Sequence, residues 1–157
     1  MEIAQYTKDE YLISTDKSKL DISVIHVFLS SSYWAEEIPL ELVKKSIENS
    51  LCFGIYKEDS SALHSVAQVG FARVISDYTT FGYIADVFVI KEKRGIGLSK
   101  WLMQCILKHP QLQGLRNLCL MTSDAHTLYE PFGFKKIPIP ENFMAKKIDG
   151  IYKKNNK

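Results

Sequence analysis

The feature that most constrains this chain is the run Lys93-Arg94-Gly95-Ile96-Gly97-Leu98-Ser99-Lys100-Trp101-Leu102. It follows the apolar stretch Tyr83 to Ile90, which reads as a buried strand, and precedes Leu98, Trp101, Leu102, Cys105 and Ile106, spaced as on one face of a helix. A second apolar stretch, Arg116 to Thr122, follows that helix. Strand, glycine turn, helix and strand make a crossover unit, so the two strands are expected to be parallel and the crossover right-handed. The chain is thereby committed to an α/β fold.

The turn itself suits an anion. Free N–H groups at the start of a helix and the positive end of its dipole converge on one point. Glycine permits positive φ and close approach, and Arg94 adds a planar cationic fork. Three phosphate-loop patterns compete with an ordinary strand-to-helix connection. The Walker spacing is absent, and the dinucleotide fingerprint lacks its third glycine because Lys100 stands there. Arg94-Gly95-Ile96-Gly97-Leu98-Ser99 resembles the third, Arg/Gln-x-x-Gly-x-Gly/Ala, the pyrophosphate loop of the GNAT acetyltransferases, with Ser99 in place of the last Gly or Ala.

Elsewhere the chain reads as one domain, 1–157, long enough to bury a core without metal or disulfides. A net charge of +2 argues against nucleic acid as a partner. The N-terminal residues lack a signal-peptide pattern, and no apolar run is long enough to span a membrane. Cys52, Cys105 and Cys119 sit within apolar segments without metal-ligand spacing, which predicts buried reduced thiols, a cytoplasmic location and no metal site.

In chain order, residues 1–17 suggest a short strand. Ser18 to Asp21 matches a capping box opening a helix to Ser30 with Ile22, Ile25 and Leu29 inward. His26 lies on this helix as a surface or core-edge residue. The link Ser30 to Trp34 leads to a second helix that starts near Pro39 and buries Leu40, Val43 and Ile47. Leu51 to Tyr56 and Val66 to Ile75 form an antiparallel pair across the polar segment 57–65, followed by the strand at 81–90. Residues 111–114 are a loop after the helix stop at His109-Pro110. Asp124 is expected to cap a short helix carrying Ala125, Leu128, Tyr129 and Phe132 and ending at Gly133. Phe134 to Ile139 and Phe143 to Tyr152 read as final strands, the first confined by Pro138 and Pro140 to an edge or bulge. The lysine-rich tail from Lys153 reads as solvated.

This order resembles the GNAT fold over about residues 10–152: a mixed, mostly antiparallel sheet flanked by helices, with a splayed parallel pair. Ala125-His126-Thr127-Leu128-Tyr129-Glu130-Pro131-Phe132-Gly133-Phe134 resembles a second family segment, A-x-x-LY-x-x-x-GF, at the expected distance from the Arg94 loop. The resemblance implies acetyl-CoA as acyl donor. Its pantetheine arm would lie along Phe88 and Val89, and its pyrophosphate on Arg94, Gly95, Ile96, Gly97, Leu98 and Ser99. It implies direct transfer to a primary amine in a ternary complex, with Tyr129 protonating the sulfur and a backbone N–H near Phe88 or Val89 meeting the oxyanion. Asp86, a carboxylate in an apolar strand, is the candidate base, its pKa expected to rise on burial; it could instead bind the substrate ammonium or hydrogen-bond to a neighbour. His126 is a second candidate near the acceptor, and water a third route for the proton. Tyr33 and Trp34 either line the acceptor pocket or pack over a core edge. Glu36 and Glu37 would suit a cationic amine. A non-catalytic acyl-CoA-binding module of the same fold is the alternative, and a monomer or homodimer is expected.

Overall fold

The computed structural model describes residues 2–58 and 66–153. The segment 59–65, where most of the expected polar connection falls, and the tail from 154 lie outside the described residues.

The N-terminal residues form a hairpin instead of a lone strand. Strand β1 (Gln5–Lys8) pairs antiparallel with β2 (Tyr11–Ser14), the chain turning at Asp9 with φ 52°. Helix α1 (Ile22–Ser30) is capped by Asp21, whose Oδ1 accepts from the N–H groups of Ser23 and Val24. The expected cap, Ser18, is instead bound to Asp16 through both its N–H and its hydroxyl, within a 3-10 turn over Lys17–Lys19. A carboxylate two residues upstream outcompeted the helix for that serine. Helix α2 (Leu40–Glu48) follows Pro39 and buries Val43 and Ile47, whereas Leu40 stays exposed.

Strands β3 (Leu51–Glu58), β4 (Val66–Ser76) and β5 (Phe81–Val89) continue the antiparallel meander. Helix α3 (Leu98–Lys108) then crosses over to β6 (Asn117–Leu120), which pairs parallel with β5. The six strands lie in the order β1-β2-β3-β4-β5-β6. This is the expected mixed, mostly antiparallel sheet with one parallel pair, which here stands at the sheet's end.

Both faces of the sheet are covered, which is why its central strands read as almost unbroken apolar runs. Alternate residues serve opposite layers. Cys52, Phe71 and Phe88 meet Ile25, Leu29, Val43 and Ile47 of α1 and α2. Phe53, Ile55 and Val74 meet Trp101, Leu102 and Ile106 of α3 on the other face. The expected loop at 111–114 starts inside a 3-10 turn, Pro110–Leu112, that buries Leu112.

Two irregularities shape the edge where chemistry can occur. Phe71 faces Phe88 while Arg73 faces Ala85, so Ala72 stands opposite both Asp86 and Val87. Asp86, at φ 55°, is the residue that absorbs this bulge. The β5–β6 ladder runs only from Phe81↔Asn117 to Ile84↔Leu120, so Ala85 to Val89 continue with no β6 partner. The parallel pair therefore opens into a cleft.

After β6 the sequence expectation fails in part. The short helix α4 (His126–Tyr129) passes into a 3-10 turn at Glu130–Phe132 and stops at Gly133, φ 87°. It has no side-chain cap from Asp124; the Thr122 hydroxyl accepts from the Ala125 N–H at 2.9 Å instead. The final strands expected at 134–139 and 143–152 are not formed. Pro138 and Pro140 have no N–H to give a ladder, and a 3-10 turn occupies Pro140–Asn142. Among the described residues no helix is long and apolar enough to cross a membrane, and no His, Cys, Asp and Glu side chains gather as a metal site.

Candidate functional site

The site is built from the ends of β5 and β6 and the elements that follow them. After β5 the chain makes a 3-10 turn at Lys91–Lys93 and then passes through Gly95 and Gly97, at φ 82° and 87°. Nothing lies within 4 Å of where a Cβ would stand on either glycine. They are glycine for backbone conformation and for open space beside the chain. Helix α3 starts at Leu98 with no side-chain cap, and its first internal bond is Trp101 N–H to Gly97 C=O at 3.0 Å. The N–H groups before Trp101 at this helix end are left for an outside acceptor.

Arg94 is tethered beside this turn. Its Nε donates to the Val89 carbonyl at 3.0 Å, and its Nη groups have no partner among the described residues. The carbonyl at the end of β5 thus already serves the arginine. A cavity of about 200 Å³ separates the turn from the β1–β2 hairpin, with Lys8 and Tyr11 on one wall and Ile96, Gly97 and Trp101 on the other. The glycine conformations, the uncapped helix end and Arg94 fit a phosphorylated ligand, while Asp9 and Glu10 stand beside Lys8 on the hairpin wall.

A run of aromatic rings connects the sheet with the loop between α1 and α2. Phe88 stacks on Phe28 with centroids 3.9 Å apart and planes 7° from parallel, and Phe28 leans on Trp34 at 6.4 Å. Trp34 meets Tyr33 edge to face at 5.0 Å. Trp34 Nε1 donates to Asp86 Oδ1 at 3.2 Å, and the Tyr33 hydroxyl accepts from the Ser123 N–H at 3.3 Å. These two bonds tie the loop to β5 on one side of the cleft and to the end of β6 on the other. Tyr33 and Trp34 remain 61% and 43% exposed, so they form a wall and do not close over a core.

Of the alternatives open for Asp86, the structure has it bonded to neighbours. Its Oδ2 accepts from Arg73 Nε at 2.5 Å, and Arg73 Nη1 donates to the Ser50 hydroxyl at 3.3 Å. Both carboxylate oxygens are engaged, one by a cation and one by an indole. Such a group is well placed to hold the cleft wall and poorly placed to collect a further proton.

Tyr129 lies on the other side, 8% exposed, with its ring edge-on to Phe134 at 6.1 Å. Its hydroxyl has no hydrogen-bond partner among the described residues. Burial, then the charges of Tyr33 and Asp124, push its pKa up to about 12. It therefore keeps its proton at neutral pH and can donate it to a developing anion nearby. Tyr129 and His126 line a cavity of about 560 Å³ together with Cys119, Leu120 and Thr122. Desolvation raises the Cys119 thiol, so it is not built as a nucleophile.

The structure thus brings Asp86, Trp34 and Tyr33 together and sets Phe88 and Val89 past the end of the ladder. It places Arg94 to Ser99 at the head of α3 and Tyr129 with His126 past β6, His126 itself being exposed. Sequence reasoning missed Arg73, Ser123, Lys8 and Tyr11. A signal for Arg73 existed: lone opposite charges, Arg73 and Asp86, occur in consecutive apolar strands of a meander.

Residues 49–136 match the family model described as an acetyltransferase (GNAT) domain. A Gibberella zeae protein named "putative acetyltransferase" is 34% identical over 140 residues, covering 79% of this chain and 78% of that one. A crystal structure of a "putative acetyltransferase belonging to the GNAT family" from Xanthomonas campestris is 47% identical and superposes with a TM-score of 0.85, covering 94% of this chain and 100% of that one. A "predicted acetyltransferase" from Clostridium acetobutylicum, solved with acetyl-CoA, shares the fold at a TM-score of 0.57 and 14% identity, over 87% of this chain and 94% of that one.

Proposed function

The chain belongs to the GNAT acetyltransferase family, and from that premise we propose that it transfers the acetyl group of acetyl-CoA to a primary amine by direct attack in a ternary complex. The observation that carries this reading is the opened β5–β6 pair, with an uncapped glycine turn at one end and the unpartnered, protonated Tyr129 hydroxyl beyond the other strand. Acetyl-CoA brings the activated thioester, as it is bound by the Clostridium protein of the same fold. The chain supplies position and charge.

Gly95 to Ser99 and the free end of Arg94 hold the diphosphate. Residues 85–89, released from β6, offer backbone to the rest of the donor and an N–H to the carbonyl oxygen as it gains charge. Tyr129 gives its proton to the departing sulfur. Tyr33 and Trp34 form the acceptor's wall, fixed by Ser123 and by the Arg73–Asp86 pair. With both Asp86 oxygens engaged, the amine's proton leaves through water or to the exposed His126, which lines the cavity with Tyr129. Glu36, two residues past Trp34, is paired in this structure with Lys153 at 3.1 Å, and a cationic acceptor would have to displace that ammonium.

Release of free coenzyme A thiol across a panel of primary amines tests this reading. Tyr129→Phe should lower kcat by about 10²-fold or more, the range of a positioned acid, with the acetyl-CoA dependence of thermal stability retained. A chain that binds acetyl-CoA but turns over no amine, whatever the residue at 129, is an acyl-CoA-binding module and not a transferase.

A further inference from the structure

Two large rings are held in solvent at the cleft. Tyr33 and Trp34 meet edge to face at 5.0 Å, and both are exposed. Hydrogen bonds fix them to opposite sides of the opening, the Trp34 indole to Asp86 on β5 and the Tyr33 hydroxyl to the Ser123 N–H after β6. The rest of their loop is tied as well: the Glu37 N–H donates to the Ser30 carbonyl at 3.0 Å, and His26 Nε2 lies 3.0 Å from the Ile38 carbonyl oxygen. The pair thus spans the gap where the β5–β6 ladder has ended. Aromatic surface fixed in this way is prepared for a ligand in advance.

The surroundings of the rings narrow the class of that ligand. The link is rich in serine, yet the Ser30, Ser31 and Ser32 hydroxyls donate back to the carbonyls of Val27, Phe28 and Leu29 at 3.2, 2.9 and 2.7 Å. Their protons serve the end of α1 and are not offered to a hydroxyl-rich acceptor such as an amino sugar. Of the carboxylates on this loop and β5, Asp86 has both oxygens engaged and Glu36 is paired with Lys153. Glu37 alone has no ion pair among the described residues, and one exposed carboxylate gives a polycation little hold. What the site offers freely is ring surface. Phe88, Phe28, Trp34 and Tyr33 meet in succession, and the run ends in the open.

We propose that the cleft takes a small primary amine built on an aromatic ring, its ring packed on Tyr33 and Trp34 as the next member of that run. Edge-to-face and offset contacts between rings add to what burial alone gives, so the wall selects such a body over an aliphatic one of like size. The position suits the chemistry. The Tyr33 phenol comes near enough to Tyr129 for its charge to help hold that residue's pKa high. A ring lying on Tyr33 therefore stands beside the group proposed to protonate the sulfur. The role of this amine as acceptor rests on the reading of the chain as an acetyltransferase of amines; the ring site itself can be measured without turnover.

Phenethylamine, hexylamine, glucosamine and spermidine are compared as acceptors by release of coenzyme A thiol. The value of kcat/KM for phenethylamine should exceed that for each of the others by about tenfold, the size of an aromatic contact. Tyr33→Leu and Trp34→Leu should each bring it down toward hexylamine. Tyr33→Phe, which keeps the ring and loses the tie to Ser123, should retain most of the preference. Tyr33 is exposed, so its leucine variant should fold even if that of Trp34 does not. Equilibrium dialysis of phenethylamine against the protein loaded with coenzyme A reads the site without chemistry. Saturable binding, weakened by Tyr33→Leu, in a protein that turns over no amine keeps the ring site and removes the transferase reading. Three results would overturn the proposal. They are no saturable binding of phenethylamine; glucosamine or spermidine turned over as well as phenethylamine, which leaves the transferase reading intact; and a preference for the ring that both leucine variants leave unchanged.

Discussion

Replacing Asp86 by Asn isolates the ion pair that anchors the cleft. The side chains of Arg73 and Asp86 are 17% and 9% exposed, and Arg73 Nε meets Asp86 Oδ2 at 2.5 Å. Asn keeps an oxygen for Trp34 and tolerates the left-handed conformation at φ 55°, so backbone and indole contact survive. What is lost is the negative charge, and Arg73 is left buried with the Ser50 hydroxyl as its remaining partner. Removing one member of a buried pair costs about 3–5 kcal/mol, and the lower figure applies here because Arg73 keeps some solvent. At about 2–4 °C per kcal/mol for a chain of this length, Tm should fall by roughly 6–12 °C. Asp86→Ala should be worse by about 1–2 kcal/mol, because alanine resists positive φ and gives Trp34 nothing to bond. The assay is thermal unfolding by circular dichroism at pH 7, in low salt and in 1 M NaCl; a buried pair is little screened, so both losses should persist in salt. Adding Arg73→Met to Asp86→Asn should recover much of the loss by removing the stranded charge. A Tm drop below about 2 °C for Asp86→Asn, or equal drops for Asn and Ala, would refute the argument.

Gly97→Ala meets no neighbouring atom but must hold φ near 87°, so it should cost about 1–2 kcal/mol of folding stability and, more tellingly, reduce the stabilisation by acetyl-CoA. Differential scanning fluorimetry with and without the ligand reads both effects. His109 is buried, its ring edge-on to Phe53 and its Nδ1 accepting from the Gln111 N–H, and burial lowers its pKa from the ordinary 6.5. The unfolded chain therefore takes up its proton first: this contribution is full above about pH 6.5 and is lost as pH falls through the lower folded value. Urea titrations from pH 7.5 to 5 should show a shallower decline for His109→Phe than for the native chain. Trp34→Phe removes the indole bond to Asp86 but keeps the ring on Phe28, so stability should drop by only about 1 kcal/mol while KM for the amine rises more than KM for acetyl-CoA.

The parts of this protein that could be read from its sequence are those whose cause is local. The head of α3 is one: two glycines, an arginine and a following apolar helix face specify strand, turn and helix within a few residues, and the structure has them at those positions. The antiparallel meander and the parallel β5–β6 pair follow from the lengths of their connections. Local competition was harder to judge, as at Ser18, where Asp16 offered a nearer bond than the helix did. What stayed hidden depends on register. Asp86 looked like an isolated carboxylate because its partner lies on the neighbouring strand, and only the bulge opposite Ala72 decides that Arg73 reaches it. Lys8 and Tyr11 could not be tied to the glycine turn until β1 and β2 were known to fold into a hairpin. The C-terminal strands failed for a different reason. Phe134 to Tyr152 has the composition of strands, but composition says that a segment can pair and leaves open with what. Pro138 and Pro140 have no N–H to give a ladder and a 3-10 turn occupies Pro140–Asn142, so a segment whose residues favour a strand is left without one.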